Sequence, residues 1–301
     1  MKVRLIGAGA VGAVIGQHIA PNCDFAFIVD EERKERYTRR PIEINGERID
    51  LRLMTPDEAD KADLLLVAVK NFNLEETIPM IRPFVGENTT ILSLMNGIIS
   101  ESVLENAFGK EKVIYGFTLV ASIHVDNRIT TSRIRVRLGE KNNERTPRVL
   151  EIAELLNRSG VGAEIPDDIL KAQWIKFMRN VFQNSISAVL RSTYGETAEN
   201  EAYQRAAYLV AKEVEAVGRM EGVNLNDEDV RNNVYSKGVL DPDGKSSTLQ
   251  DVEAGKQTEN YYFCREVSRL GRKHNIPTPY CDLVAELVDA ASYISNYRKR
   301  R

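Results

Sequence analysis

The sequence predicts an α/β fold in its first half and an all-helical fold in its second half. Short apolar runs alternate with helical patterns up to about residue 165, and they occupy 3–6, 25–29, 64–69 and 91–95. Such runs are typical of parallel strands, because helices cover both faces of the sheet. After Pro166 the pattern is helical, over about 168–192, 197–221, 226–236 and 247–274, with one more helix from Pro279. We therefore expect two domains, at 1–165 and 166–301.

A glycine motif lies within the first dozen residues. Gly7, Gly9 and Gly12 form G-x-G-x-x-G between the strand at 3–6 and a predicted helix at 10–19. In that setting the first glycine makes the turn, the second lets a pyrophosphate approach the backbone, and the third allows helix and strand to pack closely. The free N–H groups of the helix N-terminus favour an anion. We predict a Rossmann-type doubly wound sheet whose cofactor lies on Gly7, Ala8, Gly9, Ala10, Val11 and Gly12.

Smaller patterns complete the first domain. Apolar residues alternate on both sides of Asn45-Gly46, at Ile42 and Ile44 and at Ile49, Leu51 and Leu53, and predict a hairpin. Further elements are helices at 74–81, 101–107 and 147–156 and strands at 113–115 and 161–165, with an antiparallel stretch within 116–138 that exposes Arg133, Arg135 and Arg137.

Polar residues follow the apolar runs at three strand ends. Lys70 follows the run at 64–69, Asn96 follows the run at 91–95, and Asp30 follows the second strand. Ligands of open α/β sheets bind at the carboxyl ends of the strands, so Lys70 and Asn96 are candidates for the cofactor cleft, although Asn96-Gly97 could also be a simple turn. Asp30 lies near the spacing at which an acid binds the ribose hydroxyls of NAD.

The second domain begins with a polar stripe. Lys176, Asn180 and Asn184 are spaced i, i+4 and i+8, with Trp174 and Phe177 on adjacent faces. An enclosed lysine with two amides needs partners, which a small polyfunctional ligand would supply. The alternative is a solvated helix face that carries a lysine.

Two further candidates lie in the predicted helix 247–274. Ser247 with Gln250 fits a capping box, which is compatible with a substrate contact at a helix N-terminus. Glu259 shares the apolar face of Val252 and is expected to pair with Lys256 or with a substrate hydroxyl.

The composition excludes several classes of function. A formal net charge of −3 gives no electrostatic reason to expect nucleic acid or an anionic membrane as a partner. No apolar run approaches the length of a membrane span and the start has no secretory pattern, so we expect a cytoplasmic protein. The three cysteines and three histidines lack metal-ligand spacing, and no metal is expected.

The separated motifs together resemble the ketopantoate reductases (2-dehydropantoate 2-reductases) over nearly the whole chain. The matching segments are G-A-G-A-V-G, V-A-V-K at Lys70, M-N-G at Asn96, W-x-K-x-x-x-N-x-x-x-N from Trp174 to Asn184, and S-S-x-L-Q-D…T-E from Ser246 to Glu259. The resemblance implies reduction of ketopantoate to pantoate by a reduced nicotinamide, for pantothenate and coenzyme A synthesis.

The resemblance also implies roles for these residues. Lys176 would be the general acid and Glu259 would bind a substrate hydroxyl and orient Lys176. The substrate would be positioned by Asn96, Asn180, Asn184 and Ser247, and Lys70 and Asn96 would lie near the cofactor.

The chain departs from the family at two places. The family commonly uses NADP(H), yet Asp30-Glu31-Glu32 favours NAD(H), unless Arg33 and Lys34 fold back toward a 2′-phosphate. Gly244 stands where some relatives have an Asn that helps to hold the substrate carboxylate. The alternatives are therefore a reductase of another 2-keto acid on the same fold, or a cofactor-binding sensor without turnover. A homodimer is compatible with the helical domain.

Overall fold

The structure is a computed structural model that describes residues 1–50, 52–119, 122–125, 128–131, 134–236 and 241–301, with backbone only for 122–125 and 131. The predictions for Arg133 and for the hairpin residue Leu51 lie outside the described residues. The chain forms two compact units, Met1–Ile169 and Leu170–Arg301, compared with the predicted division at 165 and 166.

The first unit contains an eight-stranded sheet with the order β12-β11-β8-β7-β6-β1-β2-β5. Neighbouring strands are parallel, except that β11 runs antiparallel to β8. The predicted α/β fold class is therefore confirmed. The strands are β1 (Lys2–Ile6), β2 (Asp24–Ile28), β3 (Glu43–Ile44), β4 (Glu47–Arg48), β5 (Leu53–Met54), β6 (Leu64–Val67), β7 (Thr90–Ser93), β8 (Val113–Leu119), β9 (Ser122–Val125), β10 (Arg128–Thr131), β11 (Arg135–Gly139) and β12 (Gly162–Glu164).

Alternate residues of each central strand enter opposite apolar cores. In β1, Leu5 lies in one core and Ile6 in the other, and in β6, Leu66 and Val67 divide in the same way. This double burial explains why these strands consist mainly of apolar residues. The α-helices among the described residues of this unit are α1 (Ala10–Ile19), α2 (Glu31–Arg39), α3 (Leu74–Ile81), α4 (Ser100–Phe108) and α5 (Pro147–Arg158).

Two local features of this unit depend on polar residues. The predicted hairpin turn is present, with Asn45 at φ 51° and Gly46 at φ 86° between β3 and β4. Its second strand is shorter than predicted, and Leu53 pairs with β2 instead. Strands β3 and β4 join β9 and β10 in a second sheet of order β4-β3-β10-β9.

Helix α2 was not predicted, because none of its residues is buried and no apolar period marks it.

The second unit is helical, as predicted. Its elements are α6 (Ile169–Arg179), a π-helical turn (Asn180–Asn184), α7 (Ser185–Leu190), α8 (Tyr194–Ala198), α9 (Glu201–Met220), α10 (Asp227–Val234), α11 (Ser247–Ala254), α12 (Cys264–His274) and α13 (Pro279–Lys299). The single helix predicted over 247–274 is wrong. Gly255 ends α11 in the left-handed conformation at φ 71°, and a 3-10 turn at Asn260–Tyr262 precedes α12.

Candidate active site

The glycine turn is closely packed at Gly7 and Gly12 and open at Gly9. Gly7 has φ +103°, and a Cβ there would overlap the backbone carbonyl of Ala68. A Cβ at Gly12 would overlap the carbonyl oxygen of Gly7, whereas a Cβ at Gly9 would meet no atom within 4 Å. Close packing within the unit therefore leaves no space for a side chain at Gly7 or Gly12, whereas the space beside Gly9 is open to a ligand.

The N-terminus of α1 fits an anionic ligand. Its N-cap is Gly9, which has no side chain to satisfy the first N–H groups, and no acidic residue lies in the first turn. The positive end of the helix dipole is thus not neutralised by the helix itself. Ala8, Ala10 and Val11 complete this turn with small or apolar side chains, and the segment suits a pyrophosphate.

Asp30 lies at the end of β2 as the N-cap of α2. Its carboxylate accepts a hydrogen bond of 2.6 Å from the backbone N–H of Arg33 and forms an ion pair with the Arg33 guanidinium. Lys34 is paired elsewhere, since its Nζ lies 2.7 and 2.8 Å from the two carboxylate oxygens of Glu58. The hydrogen bond from Lys34 lowers the pKa of Glu58, which keeps this pair ionised. Both basic residues that could have met a 2′-phosphate are engaged with acids.

The ends of β6 and β7 meet through a residue that the sequence analysis did not select. The side-chain Nδ2 of Asn71 donates a 3.0 Å hydrogen bond to the backbone carbonyl of Asn96, and Asn71 is buried. Lys70 and Asn96, both partly exposed, are therefore held at neighbouring strand ends. The turn after β7 continues through Gly97 at φ 93°, a conformation that favours glycine.

In the second unit, the polar stripe runs from α6 through the π-helical turn. Four residues of an α-helix advance about 40° beyond a full turn. A π turn holds more residues, so the step from Asn180 to Asn184 compensates for the drift between Lys176 and Asn180. The wider turn keeps the three side chains on one stripe. Lys176 is partly buried, and both asparagines are buried.

The asparagines of the stripe differ in their partners. The Nδ2 of Asn184 donates to the hydroxyl of Ser247 at 3.5 Å, which brings two of the predicted substrate-binding residues together. The buried Nδ2 of Asn180 has no hydrogen-bond partner among the residues that the structure describes. An amide donor without a partner is uncommon in a folded interior and suits an acceptor on a ligand.

The predicted capping box at Ser247 is wrong. Ser246 is the N-cap of α11, and its hydroxyl accepts a 3.2 Å hydrogen bond from the backbone N–H of Leu249. The side chain of Gln250 donates instead to the carbonyl of Lys245 at 3.0 Å. Because Ser246 and Ser247 are adjacent and a serine at either position can cap a helix, the sequence alone did not show which of the two is the N-cap. Ser247 lies in the first turn, where its hydroxyl meets Asn184.

Glu259 is buried, with 4% of its surface exposed, but not on a continuous helix as predicted. It stands just before the 3-10 turn, at φ −87° and ψ 19°. The next residue, Asn260, anchors the segment, because its Nδ2 donates to the carbonyl of Ala285 at 2.8 Å and to Asp289 at 2.9 Å. Both contacts lie on α13, so a contact distant in sequence fixes the position of Glu259.

Gly244, where some relatives have an asparagine, is closely packed against its neighbours. The backbone N–H of Tyr194 donates to the carbonyl of Gly244 at 2.9 Å. A Cβ at Gly244 would lie 3.0 Å from the Tyr194 ring and 2.9 Å from the carbonyl oxygen of Asp241. An asparagine at this position would therefore require the ring or the loop to shift.

The second unit contains a buried cysteine, Cys264. Burial raises the pKa of the Cys264 thiol to about 12, so it remains a thiol, and its Sγ lies 3.3 Å from the Ser185 hydroxyl.

Over the part of the chain that the structure describes, no group of three or more His, Cys, Asp or Glu residues could hold a metal ion. None of the helices in the described ranges is both long and apolar enough to cross a membrane.

Comparison with known proteins agrees with the motifs. The model of the family "Ketopantoate reductase PanE/ApbA" matches residues 3–141, and that of its C-terminal region matches residues 168–292. The 2-dehydropantoate 2-reductase of Streptococcus pyogenes serotype M6 is 27% identical over 307 residues, covering 98% of this chain and 99% of the relative.

Solved structures share the fold over nearly the whole chain. A ternary structure of D-mandelate dehydrogenase with NADH and anilino(oxo)acetate has a TM-score of 0.88 at 23% identity and covers 98% of this chain and 99% of its own. The 2-dehydropantoate 2-reductase from Geobacter metallireducens has a TM-score of 0.83 at 24% identity, with 97% and 100% covered. Since the two family models match in order along both units, this chain belongs to the ketopantoate reductase family of oxidoreductases.

Proposed function

We propose that this protein reduces a 2-keto acid to the 2-hydroxy acid with a reduced nicotinamide cofactor, and that ketopantoate is the first candidate substrate. The observation that carries the proposal is the stripe of Lys176, Asn180 and Asn184, in which a partly buried ammonium group lies along one helix with two buried amides. Family membership supports the same reaction, since the relative from Streptococcus pyogenes is a 2-dehydropantoate 2-reductase.

The first unit would bind the cofactor. The pyrophosphate would lie at the N-terminus of α1, where the space beside Gly9 is open. The reduced nicotinamide supplies the hydride for the keto carbon. Lys70 and Asn96 stand at the strand ends, where ligands of open α/β sheets bind, and the Asn71 side chain holds the backbone of Asn96.

The second unit would supply the proton and the substrate contacts. As the carbonyl oxygen gains negative charge, the ammonium group of Lys176 would donate a proton from Nζ and leave a neutral amine and a hydroxyl group. Glu259 would accept a hydrogen bond from a substrate hydroxyl and help to orient Lys176. The free N–H of Asn180 would bind an acceptor of the substrate, and Asn184 with Ser247 would form a second polar contact.

For the cofactor we propose a preference for NAD(H). Asp30 follows β2 as the N-cap of α2, and its carboxylate, held by the backbone N–H of Arg33, would accept hydrogen bonds from the ribose hydroxyls. A 2′-phosphate would lie close to this carboxylate. It would also compete for Arg33 and Lys34 with their acidic partners.

A second candidate substrate is another 2-keto acid. The packing of Tyr194 against Gly244 favours it, because that contact removes the space for an asparagine and places an aromatic ring there. An aromatic surface suits a substrate with a larger apolar side chain than ketopantoate has.

The test is oxidation of NADH and of NADPH by the purified protein, followed by loss of reduced-nicotinamide absorbance on addition of ketopantoate. Rapid oxidation would support the proposal, and the ratio of kcat/KM for the two cofactors would test the role of Asp30. Oxidation with aromatic 2-keto acids but not with ketopantoate would favour the second candidate. Cofactor binding without oxidation by any 2-keto acid would contradict both and point to a sensor.

A further inference from the structure

Arg179, the last residue of α6, carries a charge that the neighbouring protein groups do not balance. Its Nε donates to the side-chain oxygen of Asn233 at 2.8 Å. Its Nη2 donates to the Asn233 carbonyl at 3.5 Å and to the hydroxyl of Ser236 at 3.2 Å. All these acceptors are neutral. No carboxylate of the described residues lies within 4.0 Å of this guanidinium.

Other arginines in comparable surroundings have acidic partners. Each of the remaining arginines that the structure describes as buried or partly buried pairs with a carboxylate: Arg4 with Asp60, Arg137 with Glu164, Arg148 with Glu140 and Arg265 with Asp289. A guanidinium removed from water is costly unless it is paired, so Arg179 differs from the others in a way that needs an explanation.

The groups around Arg179 cannot supply the missing negative charge. Burial lowers the pKa of Arg179, but an arginine remains protonated at neutral pH. Tyr194 and Tyr203 interact with it electrostatically, and burial raises the pKa of both phenols, so that both stay neutral. A cation with neutral neighbours and unused donors is suited to an anionic ligand, which a guanidinium binds through two parallel hydrogen bonds.

The position of Arg179 relates this cation to the proposed substrate contacts. It lies three residues after Lys176, a spacing that places both on neighbouring parts of the helix surface, and directly before Asn180. It also lies near Tyr194, whose ring packs against Gly244.

We propose that Arg179 binds the carboxylate of the 2-keto acid and thereby selects acids over neutral ketones. This inference rests on the proposed function, but it applies whether the substrate is ketopantoate or another 2-keto acid. In its resting state the guanidinium is held by Asn233 and Ser236, and the substrate carboxylate would complete its set of acceptors.

The experiment compares Arg179→Gln and Arg179→Lys with the control Arg205→Gln. Arg205 lies on α9 of the same unit, is exposed and pairs with Glu201, so its substitution removes the same charge outside the site. For each variant we would measure kcat and KM for the keto acid and for its neutral amide, and KM for the cofactor.

We expect Arg179→Gln to raise KM for the keto acid by about ten- to a hundred-fold, the usual effect of losing a charged hydrogen bond. KM for the amide and for the cofactor should stay within about two-fold. Arg179→Lys should fall between wild type and Arg179→Gln, because it keeps the charge but not the planar fork. An unchanged preference for acid over amide in Arg179→Gln would overturn the assignment, as would an equal effect in Arg205→Gln.

Calorimetric titration with ketopantoate separates this inference from the proposed function. If the wild-type protein with bound cofactor binds ketopantoate but reduces no 2-keto acid tested, and Arg179→Gln binds ketopantoate at least about ten-fold more weakly, the anion site stands and the reductase proposal fails. If the wild type reduces a 2-keto acid and Arg179→Gln binds that acid equally well, the reductase stands and the anion site fails. If the wild type neither binds nor reduces any 2-keto acid tested, both are wrong. Circular dichroism and cofactor affinity would verify that the Arg179 variants are folded.

Discussion

The hydroxyl of Ser246 lies 3.3 Å from the backbone carbonyl oxygen of Asn184 and connects the N-terminus of α11 to the π-helical turn. The same hydroxyl lies 2.8 Å from that of Ser187 and accepts the backbone N–H of Leu249. One buried side chain therefore caps a helix and fixes the backbone of a proposed substrate-binding residue. Ser246 is a positioning residue in this arrangement, and the adjacent Ser247 faces Asn184.

We expect Ser246→Ala to affect both stability and substrate binding. Loss of the cap should lower the free energy of unfolding by about 1 kcal/mol. Loss of the contact to Asn184 should raise KM for the keto acid several-fold. The matched control is Asn200→Ala, which removes the side-chain cap of α9 and should cost similar stability without changing KM. Equal KM effects in the two variants would show that Ser246 acts only as a cap.

Substitution of Lys176 should abolish most of the turnover. Without a proton donor near the developing oxyanion, Lys176→Ala should lower kcat by roughly 10²- to 10⁴-fold. The Kd for the cofactor, measured by fluorescence titration, should stay within about two-fold. Lys171→Ala is the control, because Lys171 is on the same helix and pairs with Asp229 at 2.9 Å. Turnover close to wild type in Lys176→Ala would exclude Lys176 as the general acid.

Two substitutions at Asp30 separate charge from capping. Asp30→Ser keeps an N-cap residue but removes the carboxylate, and it should lower the preference for NADH over NADPH. Asp30→Arg should shift the kcat/KM ratio further toward NADPH, because a cation would meet the 2′-phosphate. Glu32→Arg changes the charge equally at an exposed position on the first turn of α2 and should have the smaller effect. If all three variants gave the wild-type ratio, Asp30 would have no contact with the ribose.

Glu140 should make stability depend on pH. Burial raises the pKa of this carboxyl, but hydrogen bonds from Arg148 and Thr146 outweigh that effect, and the net pKa is lowered. A carboxyl with a lowered pKa stabilises the fold above its unfolded value, about 4.3, and this contribution is lost as pH falls through the folded value. Glu140→Gln should therefore lower the free energy of unfolding at pH 7 by about 1.5–3 kcal/mol.

Denaturant titrations at several pH values would measure this effect. The difference between Glu140→Gln and wild type should shrink as the solution is taken below about pH 4. Glu35→Gln is the control, since Glu35 and Arg39 form an exposed pair that should contribute little at any pH. A difference that stayed constant from pH 7 to pH 3 would show that the charge of Glu140 is not the cause.

The sequence by itself determined the features that depend on local pattern. Strands buried on both faces are mainly apolar, so the sequence predicted β1, β6 and β7 as apolar runs. It predicted the glycine turn because the spacing of the glycines is fixed by backbone geometry. The amphipathic period of the sequence predicted most helices of the second unit. The candidate residues were found where polar types interrupt these patterns, at strand ends and along the stripe of Lys176.

Tertiary structure decided what depends on contacts distant in the chain. Helix α2 forms without an apolar face, capped by Asp30, and Gly255 ends a helix that the periodicity would have continued. The choice of Ser246 over Ser247 as the cap follows from its contacts with Asn184 and Ser187, about sixty residues away. The isolation of Arg179 among neutral partners likewise depends on which side chains the fold brings to it, because a charge is balanced or unbalanced only by its neighbours in space.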